Sequence, residues 1–66
     1  MKVTKEVNEG LMQLSIEIDG VKFREVVFLS SKSFEVDTKK AVAILQTKIE
    51  NYKKAMELDL VSLLGE

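Results

Sequence analysis

The sequence predicts an α+β fold, an antiparallel β-hairpin or three-stranded meander followed by one long amphipathic α-helix packed on one face, with homodimerisation expected to complete it. Three observations predict this. Apolar and polar residues alternate from Met12 to Ile18, an Asp19-Gly20 pair links that run to a second apolar run, and apolar residues recur at helical spacing from Leu45 onward. Residues 1–66 are read as one ββα or βββα domain, since 66 residues are too few for two cores.

The first elements are strands. Met12, Leu14, Ile16 and Ile18 alternate with Gln13, Ser15 and Glu17, the period of two that places apolar side chains on one face. Asp-Gly between two such runs suits a type I′ turn, whose two central residues need positive φ. A two-residue loop pairs Ile18 with Val21, Glu17 with Lys22, Ile16 with Phe23 and Ser15 with Arg24, so apolar side chains share one face and opposite charges the other. Continued further, the same register puts Glu25 on the apolar face and Val26 and Phe28 on the polar one. Two remedies follow. A bulge near Arg24 and Glu25 restores Val26 and Phe28 to the inner face, and is preferred; alternatively the run from Val26 to Leu29 is covered on both sides, as at the centre of an assembly. Residues 2 to 7 offer a third strand, turned by Asn8-Glu9-Gly10 into the second.

A Ser-rich connector, Ser30 to Val36, precedes the helix, with Phe34 and Val36 as a short extended segment. Asp37 is expected to be the N-cap, with Val36 stapling onto Ala41. Leu45, Ile49, Tyr52, Met56, Leu60 and Leu63 then form one stripe, widened by Ala41, Val42 and Ile44, and Gly65 closes the helix. Glu50 and Lys54 are spaced for an i,i+4 pair on the solvated side. An unbroken helix from Thr38 to Leu64 is ~40 Å long, against ~26 Å for an eight-residue strand. The helix therefore outruns its sheet. Its rival is a break, with Asp59 capping a short second helix folded back onto the hairpin.

Composition narrows the function. A domain of this size buries only ~60% of its unfolded surface and usually needs a disulfide, a metal or self-association. The chain has no Cys and no His, which removes disulfides and soft zinc sites and leaves association. No cofactor is expected. Ten Lys and Arg against eleven Asp and Glu give a net charge of −1, unlike the basic excess of a constitutive phosphate binder. Apolar runs such as Val26 to Leu29 are far too short to span a membrane, and no signal-peptide core leads the chain. A cytoplasmic protein with no membrane partner is expected.

Chemistry is sparse. The hydroxyls of Ser15, Ser30, Ser31, Ser33 and Ser62 have no imidazole partner, and the three glycines form no phosphate-cradling loop. The acidic pairs Glu35 with Asp37 and Glu57 with Asp59 lack the spacing of a calcium loop. The chain is read as not an enzyme. Interface residues for a second copy or a protein partner are expected at Val26, Val27, Phe28, Leu29, Tyr52, Met56, Leu58, Leu60, Val61, Leu63 and Leu64. The alternative is nucleic-acid binding by the lysine-rich helix face, through Lys32, Lys39, Lys40, Lys48, Lys53 and Lys54.

Glu57-Leu58-Asp59-Leu60-Val61 resembles the pentapeptide by which bacterial replication and repair proteins dock on the sliding clamp, in which Gln, Leu, Ser or Asp, Leu and Phe follow one another. Leu58, Asp59 and Leu60 match, whereas Glu57 and Val61 replace the Gln and the Phe. The expected role is thus a small homodimeric protein-binding module that regulates, inhibits or scaffolds a larger partner. Compact, cofactor-free, near-neutral chains of this kind occur among accessory proteins of phages and other mobile elements.

Overall fold

The computed structural model describes residues 1–65. Three strands, β1 (Lys2–Asn8), β2 (Leu11–Ile18) and β3 (Val21–Phe28), are followed by the helices α1 (Phe34–Glu57) and α2 (Leu60–Leu63). The strands form an antiparallel sheet in the order β1-β2-β3, with α1 across one face. This is the α+β meander-and-helix arrangement the sequence predicts, with the third strand present.

Both strand connections are two-residue turns. Glu9-Gly10 and Asp19-Gly20 hold φ of 46° and 80°, and of 53° and 79°, respectively, the paired positive values a type I′ turn requires. Such turns leave the register no freedom, and β2 pairs with β3 without interruption from Ile18–Val21 through Ser15–Arg24 to Leu11–Phe28. The expected bulge is absent. Glu25 lies opposite Leu14 on the helix-covered face, where Lys48 Nζ donates to its Oε2 at 3.0 Å. An arching lysine resolves the mismatch more cheaply than a broken ladder, because a bulge leaves one residue unpaired. Among the described residues this is the one ion pair, and the expected Glu50–Lys54 contact is not made.

The covered face carries Met12, Leu14, Ile16, Phe23 and Val27, and the core is a small cluster of Met12, Val27 and Ala41 with Leu14 and Phe34 packed against it. Leu45, 2% exposed, and Ile49 complete the buried apolar set. Phe23 meets Tyr52 edge to face, with ring centroids 5.8 Å apart.

The helix starts earlier than its capping pattern suggests. Phe34 and Val36 are helical, the N-cap position is Ser33 without a side-chain cap, and Asp37 lies inside the first turn. Its carboxylate accepts from Ser31 Oγ at 2.7 Å and Ser33 Oγ at 3.1 Å, folding the serine-rich connector over the helix start. Starting at Phe34 also brings that ring onto the inward stripe with Ala41 and Leu45, a gain no Asp37 cap offers. Val36 is exposed and makes no staple.

At the other end the helix does break. Leu58 is extended, with φ −69° and ψ 129°, and Asp59 accepts from the N–H groups of Val61 and Ser62 and from Ser62 Oγ to cap α2. Gly65, at φ 80°, closes that turn with its N–H on the Ser62 carbonyl. The break matches the rival reading, but the fold-back does not occur: α2 packs on no other element. The molecule measures 53 × 23 × 14 Å, its length set by α1 and the segment beyond it.

Candidate functional site

Three surfaces remain without cover among the described residues, and the first two follow from a helix narrower and longer than its sheet. The first is an arm. The inward stripe of α1 runs from Phe34 through Ala41, Leu45, Ile49 and Tyr52 to Met56, but the sheet ends near Tyr52, whose ring rests on Phe23 close to the Asp19-Gly20 turn. Beyond it Met56, Leu58, Leu60, Val61, Leu63 and Leu64 are each more than half exposed, Leu64 most at 77%. The segment from Glu57 to Val61 that resembles a clamp-docking peptide lies here, extended at Leu58 and Asp59 and helical from Leu60.

The second is a bare strip on the covered face. Helix α1 packs on β3 and more lightly on β2, but not on β1. Register places Val3, Lys5 and Val7 of β1 on the same face as Ile16, Leu14 and Met12, so these three face the space beside the helix. Val3 and Val7 are exposed. A shallow recess of about 430 Å³ opens there, lined by Met1, Ile16, Gln46, Ile49 and Glu50.

The third is a corner of the opposite sheet face. The unbroken register sets Leu11 beside Phe28, with Val26 in the next row opposite Gln13. Phe28 is 65% exposed. A recess of about 190 Å³ between Leu11 and Val26 is rimmed by Glu6, Asn8, Glu9 and Gln13, giving an apolar floor and an acidic lip.

The residues expected at an interface thus divide. Met56, Leu58, Leu60, Val61, Leu63 and Leu64 share the arm, Val26 and Phe28 lie at the outer corner, and Leu29, 37% exposed, follows the end of β3. Val27 and Tyr52 do not join them. Val27 is 3% exposed beneath α1, and Tyr52 is half-buried against Phe23, because an unbroken strand sends alternate residues to opposite faces. Leu11 was missed by sequence reasoning, as were Val3, Lys5 and Val7. The alternation of β2 and β3, carried through Glu25 without a bulge, marks Leu11; nothing local marks β1 as bare.

The lysines are dispersed. Lys48 is held by Glu25, Lys32 is in the connector, and Lys39 and Lys40 lie four turns from Lys53 and Lys54 on α1, with Glu35, Glu50 and Glu57 on the same helix. No group of three potential metal ligands comes together among the described residues, and Asp37 and Asp59 spend their carboxylates on local hydroxyl and amide donors. Hydrogen bonds from the Ser62 hydroxyl and from the Ser62 and Val61 amides hold the Asp59 carboxyl below its ordinary range. Among the described residues no helix is long and apolar enough to cross a membrane. Comparison with protein-family models, with curated proteins and with solved structures found no match.

Proposed function

We propose that the chain is a small non-enzymatic protein-binding module that works as a homodimer in the cytoplasm and regulates, inhibits or scaffolds a larger partner. One observation carries the proposal: six large apolar side chains stand clear of the fold on the arm from Met56 to Leu64. At ~25 cal/mol per Å² their burial is worth several kcal/mol, comparable with the whole stability of a domain this small. Exposed apolar area on that scale belongs to an interface. The outer corner of Leu11, Val26 and Phe28 is a separate surface, which leaves one site for self-association and one for the partner. The absence of cysteine suits a reducing compartment.

Light scattering across a concentration series tests the dimer, with Leu60→Asp beside the parent chain. The expected result is a dimer that the variant splits. A parent chain that stays monomeric, or a variant with unchanged mass and melting temperature, overturns the proposal.

A further inference from the structure

The arm and the bare strip over β1 come from one geometric deficit, and they complement each other. We propose that they are the two halves of one interface, in which the arm of each copy seats on the strip over β1 of the other, an exchange that rests on the homodimer reading above.

Width comes first. Strands ~4.8 Å apart put β1 and β3 about 10 Å from each other, and a helix is ~10 Å across, so a helix over β3 and β2 leaves room beside it for one more. Packed helices lie 8–10 Å apart, so the occupant rests against the flank of α1 as well as on β1. That flank offers Gln46 and Glu50, with the largely buried Ile49 at its foot, and Val42 lies one turn earlier along it.

Charge is the second ground. On the floor of the strip Lys5 stands between Val3 and Val7 on the same face. From Ala55 to Gly65 the arm has two acids, Glu57 and Asp59, and no basic residue. An apolar segment with acids near its start thus meets an apolar floor with a cation, Lys5, at its middle, while one acid, Glu50, lines the recess from the α1 side.

Area is the third. Six exposed side chains at roughly 100 Å² each give ~1,200 Å² from two arms, before the floor they cover is counted, which reaches the ~1,200–2,000 Å² of stable interfaces. The exchange is isologous and closes on itself as a two-fold dimer. The chain's own arm is a poor occupant, because α1 carries it outward past the end of the sheet and it touches no other element.

The chain has no cysteine, so disulfide trapping tests the exchange directly. Variants with one cysteine on the floor, Val3→Cys or Val7→Cys, are mixed with variants carrying one on the arm, Leu60→Cys or Leu63→Cys, and oxidised mildly. Floor-to-arm disulfides between chains are expected at least tenfold above arm-to-arm. A dimer by light scattering whose arm cysteines join each other overturns the exchange and leaves the homodimer standing. A monomer overturns both, and a floor-to-arm disulfide within a monomeric double variant shows the arm serving its own chain. In case cysteine disturbs packing, Lys5→Glu is expected to weaken dimerisation about three- to tenfold, and adding Glu57→Lys to restore it. Unchanged dimerisation in Lys5→Glu overturns the charge match and with it the seating on β1.

Discussion

Replacing Glu25 by valine should stabilise the protein, although it removes the Lys48–Glu25 ion pair. That pair is partly solvated, with Lys48 and Glu25 side chains 46% and 25% exposed, so after screening it contributes ~0.5 kcal/mol. Valine in the same position keeps about three-quarters of its surface covered, beside Leu14 and in line with Phe23 and Val27, which contributes ~1–1.5 kcal/mol and adds a better strand former. The net gain is ~1 kcal/mol, or a melting temperature higher by ~4–8 °C in a domain this size. Urea unfolding followed by circular dichroism at one fixed protein concentration measures it. A double-mutant cycle with Lys48→Met should return a coupling of ~0.2–1 kcal/mol. If Glu25 faced solvent across a bulge, the same change would be nearly neutral. A change near zero would refute the assigned register, and a loss of ~0.5 kcal/mol or more the ranking of burial above the ion pair.

Three further outcomes are expected. Leu45→Ala removes the most buried large side chain and should cost ~2–4 kcal/mol in the same unfolding assay, enough to leave much of the protein unfolded at 37 °C. Gly20→Ala places a side chain at φ 79° in open space, so a destabilisation of ~1 kcal/mol should come from backbone strain alone, read as a lower urea midpoint with unchanged slope. The depressed Asp59 carboxyl stabilises α2 fully above the ordinary aspartate value of ~3.9 and loses that contribution as pH falls through its lower folded value; amide signals of Val61 and Ser62 should report this below pH 4, and Asp59→Ala should abolish it.

Much of the fold was legible because its signals are local. Glu9-Gly10 and Asp19-Gly20 specify their turns by backbone sterics, and a two-residue turn sets the pairing of every residue that follows. The stripe through Ala41, Leu45 and Ile49 is a property of helical spacing, and the capacity of Asp59 to start a new helix is a property of its carboxylate and the next three residues. The helix start was not legible: Asp37 has the chemistry of a cap, but the core that captures Phe34 is assembled from Met12 and Val27, far away in the chain. Glu25 was misjudged for the same reason, since its partner Lys48 lies 23 residues away on another element.

The surfaces proposed to function divide along that line. From the sequence alone it follows that six of the nine residues from Met56 to Leu64 are large and apolar and that a long helix outruns short strands. Only the tertiary structure decided that Val27 is inside and Phe28 outside, that β1 lies bare, and that the arm stands clear of its own sheet. Periodicity says which residues of an element share a face. Which face is covered depends on where a helix about 10 Å wide comes to rest on a sheet of three strands, and that is settled by contacts between distant parts of the chain.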